Sequence, residues 1–409
     1  MATITGITID GNAVDLSTVV YDVQVTHGRA TITDDPTAST CDLTLITHDT
    51  ELPDVELGDP IVVQAYGSTR FTGKIADAAL THVVDDGARL AITATGKLTD
   101  LATIPVTPTA WPEETSGVRA GRILDDAGVT VYAAAGDLTV LAQTADEASA
   151  LELLTQLASD TGAAVFDTPG GGLVFQDLAG RAQRYIDDIW TSMTSIWSAT
   201  SGTWADQDSP AVSEPVDLPA DAVAWSPTFE KHLGDIVNRV VVNYGAALQH
   251  IEDDTASQTA HGIRSVTLDT QLAYLADAQL RAEQVVARLA NPRYQLSGVS
   301  VLVHDLDAPT RTAVLGLRCG DRAIVLGLPR PAPTTDWLGV VEGWSEQYSL
   351  DRFDESTAVE SHILTLALSD PRASFATVQW SAVTGTRTWS NIHATVPWTD
   401  VTADTDLAA

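Results

Sequence analysis

The stretch Gly58-Asp59-Pro60-Ile61-Val62, followed by Phe71-Thr72-Gly73-Lys74-Ile75 and Leu90-Ala91-Ile92-Thr93, has a second version in the same chain. Near the far end one reads Gly320-Asp321-Arg322-Ala323-Ile324-Val325, then Trp337-Leu338-Gly339-Val340-Val341, then Leu364-Thr365-Leu366-Ala367. The echo also runs backwards. Leu43-Thr44-Leu45-Ile46-Thr47-His48-Asp49 is matched by Val299-Ser300-Val301-Leu302-Val303-His304-Asp305. Four segments recurring in the same order are one β-module used twice, and such a repeat sets the fold before any other signal is weighed. Its signature is Gly58, Asp59, Phe71 and Gly73 in the first copy and Gly320, Asp321, Trp337 and Gly339 in the second.

Working outward, residues 1–105 read as the first module. Val19, Tyr21, Val23 and Val25 alternate with polar neighbours, as do Cys41, Leu43 and Leu45, which is the period of a half-buried strand. Gly67-Ser68 and Asp85-Asp86-Gly87 mark turns between further strands, so the module is a small barrel or sandwich. Residues 106–186 have another texture and read as a compact α/β insert. Arg119 to Ala127 is helical in pattern and stops at Gly128. Ala148 to Asp160 carries an apolar stripe of Leu151, Leu154 and Leu157, with Asp146 as the expected cap and Gly162 as the stop. A hairpin then turns through Pro169-Gly170-Gly171-Gly172.

Residues 187–229 form a Trp-rich segment and linker, in which Trp190, Trp197 and Trp204 recur every seventh position among Ser and Thr. Residues 230–372 read as the second module. It opens with a strand at Asn238 to Tyr244 that echoes the Val19 strand, and it includes a long helix at 273–290 with a face of Ala278, Ala282, Val285, Val286 and Leu289. Residues 373–409 are a second Trp-rich extension, with Trp380, Trp389 and Trp398 nine apart. The fold class is mainly β: two repeated barrels, a small α/β domain, and Trp-rich extensions.

The chain carries 22 basic against 55 acidic residues, a formal net charge of −33, and lysine only at Lys74, Lys97 and Lys231. Such a surface repels nucleic acid and acidic membranes at a distance. No run of about 18 apolar residues marks a membrane-spanning helix. Cys41 and Cys319 are too few for a disulfide framework or a structural zinc site. No catalytic, cofactor or metal residue is assigned. Gly170-Gly171-Gly172 lacks the Gly-Lys-Ser/Thr ending of a phosphate loop and precedes a strand. His48 and His304 sit at equivalent repeat positions and read as a structural pair at strand ends. The acidic pairs Asp34-Asp35, Asp85-Asp86, Asp125-Asp126 and Asp253-Asp254 fall in turns or at helix ends, where Asp is favoured for backbone reasons. The evenly spaced tryptophans read either as plugs on their own module or as anchors on a neighbouring subunit.

The pattern Gly-Asp-x-Ile-Val, aromatic-x-Gly-x-Ile/Val and Leu-x-Ile/Leu-x resembles the tail-tube-like β-barrels of tailed-phage hub proteins. The order barrel, insert with Ala150-Leu151-Glu152-Leu153-Leu154-Thr155-Gln156-Leu157-Ala158 and Gly162-Ala163, hairpin, second barrel is similar to the baseplate or tail-tip hub. Relatives of that hub include the late-control proteins of contractile phages and the hub part of type VI secretion VgrG proteins. The resemblance covers roughly 1–186 and 230–372. It implies a virion structural protein at the tail tip, assembled in the host cytoplasm and not an enzyme. The implied state is a homotrimer whose six barrels form a pseudo-sixfold ring. Implied partners are a distal tail or tail tube ring, a tip, fibre or spike protein, and the tape measure protein, with DNA passing unbound. No lysozyme, peptidase or long fibre domain is expected after 372, which counts against wall digestion by this chain and implies that a separate protein forms the tip. The competing readings are a host-surface adhesin, with the Trp-rich parts on glycan, and a secreted hydrolase.

Overall fold

The computed structural model describes residues 3–177 and 215–369, apart from 32–33, 48–51, 84–86, 107–109, 145–147, 220–222, 225–228, 232–235, 292–293, 297, 329, 331 and 355–356. Both tryptophan series lie outside the described residues, as do His48 and Asp146.

The first module contributes β1 (Ile4–Ile9), β2 (Val20–Gly28), β3 (Thr40–Thr47), β4 (Pro60–Ala65), β5 (Ser68–Val83) and β6 (Gly87–Thr95). The period-two pattern holds along β2, β3, β4 and β6, whereas β5 buries Arg70 and Phe71 in succession and exposes 79–82. Val23, Val25, Cys41, Leu43, Leu45, Ile61, Val63 and Ala65 are buried, and they build one core with Phe71, Ile75, Leu90 and Ile92.

The insert packs α1 (Ser116–Asp126) and α2 (Ala150–Thr161) on β7 (Tyr132–Ala135), β8 (Ala164–Asp167) and β9 (Leu173–Gln176). Helix α2 begins at a capping box. The Ser149 side chain accepts from the Glu152 backbone N–H, and the Glu152 carboxylate takes the Ser149 N–H. The cap is therefore Ser149 rather than Asp146, because Ser-x-x-Glu satisfies two orphan donors where a lone Asp satisfies one. Gly162 ends the helix at φ +67°, in the left-handed region.

The expected linker contains two strands, β10 (Val216–Pro219) and β11 (Val223–Ala224). After it, β12 (Arg239–Tyr244), β13 (Leu248–Asp253) and β14 (Ser265–Asp269) form a separate three-stranded sheet in the order β13-β12-β14, backed by α3 (Leu275–Leu289). Val240, Val242, Ala278, Ala282 and Val286 share one core with Leu98, Ile123, Leu154 and Phe175 of the insert side. The strand at 238–244 and the helix at 273–290 thus pack with the insert, not inside the second β-module where the sequence placed them. Alternation identifies a half-buried strand but not the sheet it joins.

The second module contributes β15 (Val299–Leu302), β16 (Arg322–Leu326), β17 (Trp337–Asp354) and β18 (Thr357–Ser369). Its register copies the first. Ile61 faces Gly73 and Val63 faces Phe71 across β4–β5, as Ala323 faces Gly339 and Val325 faces Trp337 across β16–β17. Both long strands slip by one residue at the same place, between Ile75 and Asp77 in β5 and between Val341 and Gly343 in β17. All these strands belong to one 13-stranded sheet. Its main path runs β11-β15-β18-β17-β2-β3-β6-β5-β4-β1 and ends in the two-residue strand Asn12–Ala13, with β16 and β10 at its side. The seam between modules is the β17–β2 pairing, Gly343 opposite Gly28 through Ser349 opposite Asp22.

Candidate functional site

The signature residues are explained by packing. The Gly58 N–H donates to the Ile75 carbonyl at 2.8 Å, and the Ile75 N–H returns to the Asp59 carbonyl at 2.9 Å. In the second copy Gly320 donates to Val341 at 2.7 Å, and Val341 returns to Asp321 at 2.9 Å. Each Asp carboxylate also closes its own turn, Asp59 on the Glu56 N–H at 2.8 Å and Asp321 on the Arg318 N–H at 2.7 Å. Gly58 and Gly320 sit at φ +92° and +93°, where a side chain is strained. Gly73 and Gly339 are in strands for another reason: the aromatic two residues earlier folds over them. A Cβ there would lie 2.6 Å from a Phe71 ring carbon and 2.4 Å from a Trp337 ring carbon. The motif is therefore a fold device present twice.

The dense chemistry lies where the modules meet, at residues the sequence reading did not single out. Strand β17 points Trp344, Glu346 and Tyr348 to one buried face, as residues two apart on a strand must. Arg70 reaches them from β5. Its Nε lies 3.0 and 3.1 Å from the two Glu346 carboxylate oxygens, Nη2 also donates to Glu346, and Nη1 donates to the Leu315 carbonyl at 2.6 Å. Glu346 further accepts from Trp344 Nε1 at 2.9 Å and from the Tyr348 hydroxyl. The side chains of Arg70 and Glu346 are 2% and 0% exposed. Removal from water is tolerated because every charge-bearing atom has a partner.

Two histidines flank this pair. His27 on β2 lies 2.7 Å from the Arg70 carbonyl through Nε2 and 2.6 Å from Ser39 Oγ through Nδ1. A carbonyl can only accept, so Nε2 carries the proton and Nδ1 accepts from the hydroxyl. Burial pushes the His27 imidazole down to about 4. His362 stacks on Tyr348 with ring centroids 4.1 Å apart, and its Nε2 is 3.3 Å from a Glu346 oxygen, within ion-pair range. Burial, with the Arg70 charge adding to it, lowers His362 against the pull of Glu346. Burial would raise Glu346 itself, but the Arg70 charge and the hydrogen bonds win and hold it well below the carboxylate range. The junction thus contains one ion pair and two neutral imidazoles. A second buried pair, Arg29 with Glu342 at 2.9 Å, lies beside it. Gly28 and Gly343 let the strands close there, since a Cβ on Gly28 would sit 2.4 Å from the Glu342 carbonyl and one on Gly343 2.5 Å from the His27 carbonyl.

Nothing in this cluster forms an open catalytic constellation: the acid is buried, ionised and fully engaged. Among the described residues no group of three or more His, Cys, Asp or Glu could hold a metal ion, and no described helix is long and apolar enough to cross a membrane. Gly170–Gly172 is the turn of the β8–β9 hairpin, closed by Thr168 N–H to the Gly172 carbonyl at 2.8 Å. Asp254 caps a short helix through the Ser257 N–H at 2.8 Å. His304 sits at the end of β15 in a single 3-10 turn against the His362 backbone.

No protein-family model matches the sequence, and a search of curated proteins finds no match. Solved structures do match. The 43 kDa tail protein of prophage MuSo2 from Shewanella oneidensis aligns with a TM-score of 0.58 and 13% identity, over 92% of this chain and 100% of that one. The tail protein from Neisseria meningitidis MC58 aligns with a TM-score of 0.57 and 16% identity, over 91% and 98%. At such identities the likeness is one of backbone. The fold of this chain, two β-modules in one sheet with an α/β unit between them, is similar to the folds of these two tail proteins.

Proposed function

We propose that this chain is a structural protein of a phage tail, a homotrimeric hub at the tail tip or baseplate. The observation that carries the reading is the duplicated module in a chain whose fold matches two tail proteins over nearly their full lengths. Two equivalent modules per chain make six in a trimer. Such a ring meets a sixfold tail tube or distal tail ring on one side and a threefold tip, spike or fibre on the other. The net charge of −33 suits a channel wall past which DNA slides without adhering during ejection. The tape measure protein is the remaining neighbour on this reading. Trp190, Trp197, Trp204, Trp380, Trp389 and Trp398 act as anchors on adjoining subunits. The role is mechanical, with no reaction assigned to any residue, and its place is the virion, after assembly in the host cytoplasm.

The test is the mass of residues 1–409 in solution by light scattering, with the same peak imaged by negative-stain microscopy. A ring near three times 43.2 kDa with a central hole is expected. An elongated monomer that binds glycans overturns the hub and favours a host-surface adhesin.

A further inference from the structure

Laid on each other through matching partners and the shared slip, the two modules put Phe71 on Trp337, Gly73 on Gly339, Asp77 on Gly343 and Leu80 on Glu346. Arg70 falls on Asp336. In the second copy, Gly343–Ser349 of β17 holds an antiparallel strand, β2 of the first module. In the first copy the equivalent edge is Asp77–His82 of β5, and among the described residues no strand covers it. The cause is local. The chain leading into β4 is tied to β5 through Gly58, Asp59 and Ile75, and residues 52–57 pair with nothing further along that edge.

Side chains widen the gap into a groove of about 520 Å³. Ala78, Leu80 and His82 of the edge line it with Ala88 and Leu90 of β6, and Leu52, Pro53, Asp54 and Val55 complete it. At the counterpart positions of the first five, the second copy has Trp344, Glu346, Tyr348, His362 and Leu364, all buried. Where Trp344 and His362 fill the space, Ala78 and Ala88 leave a hollow. Leu80 is 57% exposed, whereas Glu346 is 0% exposed.

The chemistry of an occupant follows from strand alternation. Backbone groups of the edge that point away from β6 accept a strand, and side chains opposite Ala78, Leu80 and His82 enter the groove. Those must be apolar. The residues between them stand on the other face, beside Asp77, Ala79 and Thr81. Asp77 is exposed, and the nearby Lys74 ammonium is held by Asp100 at 3.1 Å. Asp54 and Glu56 are exposed too. Arg89 lies opposite Thr81, so basic side chains are favoured towards the Asp77 end. With Leu80 in place of Glu346, and Asp336 in place of Arg70, docking buries no unpaired charge at the centre of the groove.

We propose that the edge Asp77–His82 and its groove are a docking site for an extended segment of another protein. That segment adds antiparallel to β5 and alternates apolar with basic side chains. The site is complete in a single chain and does not depend on the hub reading. A basic partner complements the net charge of −33, which a second copy of this chain does not. Docking also covers a strand edge that would otherwise invite uncontrolled pairing.

The probe is a fluorescein-labelled peptide, Lys-Val-Lys-Val-Lys-Val-Lys, titrated with the full-length protein and read by anisotropy. It should bind at least about tenfold more tightly than the block isomer Lys-Lys-Lys-Lys-Val-Val-Val, which has the same charge without alternation. The acidic analogue Glu-Val-Glu-Val-Glu-Val-Glu should not bind. Leu80→Asp adds a carboxylate, so it strengthens attraction by charge alone but should abolish docking in the groove; circular dichroism checks that the variant folds. An added strand is bonded along one side only, so N-methylation of alternate peptide nitrogens should abolish binding in one phase and spare it in the other. No binding overturns the proposal, as does equal binding of the block isomer or binding that survives Leu80→Asp. Light scattering separates the remaining case: a protein oligomer that dissociates as the peptide binds assigns the edge to a second copy and overturns the proposal too.

Discussion

The two β-modules have the same strand register down to a shared one-residue slip, yet equivalent faces carry opposite chemistry, sealed in one copy and open in the other. Strand β17 carries Trp344, Glu346 and Tyr348 into a sealed junction with Arg70 and His27, while β5 carries Ala78, Leu80 and His82 on a face that is largely open. Register is set by the turns and by which positions are buried, and both copies keep the Gly-Asp turn and the aromatic over its glycine, so it survives divergence elsewhere. The seam is set by side-chain chemistry, so each copy specialises. Tyr348 and Leu350 show how far this goes, since both side chains belong to the second module but complete the core of the first.

The largest effect is expected from breaking the sealed junction while leaving its counterpart alone. Arg70→Met strands Glu346 as a buried, unpaired acid and should cost about 3–5 kcal/mol in urea unfolding. Asp336→Asn, at the counterpart position, should change stability by no more than about 0.5 kcal/mol. Equal effects would mean that the ion pair does not distinguish the modules.

Acid probes the same contrast. His27 titrates in the folded state at about 4, below the ordinary 6.5, so the unfolded chain binds the extra proton in between. Its stabilisation is complete above 6.5 and is lost as pH falls towards 4, at up to about 1.4 kcal/mol per pH unit; His362 adds loss of the same sign. Asp160 works against them. Burial raises it to about 6, so its destabilising ionised form disappears as pH falls below that value. Net weakening between pH 6.5 and 4 is expected from unfolding midpoints across that range. His27→Asn should flatten the dependence and Asp160→Asn should steepen it; the reverse order would refute the assignment.

The signature glycines should behave alike in the two modules. Gly73→Ala and Gly339→Ala each force a Cβ into an aromatic ring and should cost about 1–3 kcal/mol as overpacking. Thermal unfolding that shows a cost in one module only would separate copies that the backbone makes equivalent. The smallest effect is expected at the open face, where Leu80→Ser should alter unfolding free energy by less than about 0.5 kcal/mol. A larger loss would mean that Leu80 is already covered within the single chain.

The repeat was legible because Gly58, Gly320, Gly73 and Gly339 are dictated locally, by a positive φ in one pair and a ring folded over the backbone in the other. Strand alternation and the helices at 116–126, 150–161 and 275–289 were legible for the same reason, since periodicity reports which face of an element is buried. The junction was not. Arg70 and Glu346 are 276 residues apart, and a lone Glu between aromatics on a strand gives no hint of its partner.

By itself, then, the sequence determined the module, its two copies and the burial pattern of each element, because hydrogen-bonded turns, pleat and helical period act over a few residues. Only the tertiary structure decided which sheet each strand joined. It sent β12 and α3 to the core of the insert, drew β10 and β11 out of an apparent linker, and fused two modules through β17 and β2. Those choices depend on which apolar faces and buried charges find complementary partners hundreds of residues away, and no local pattern encodes that match.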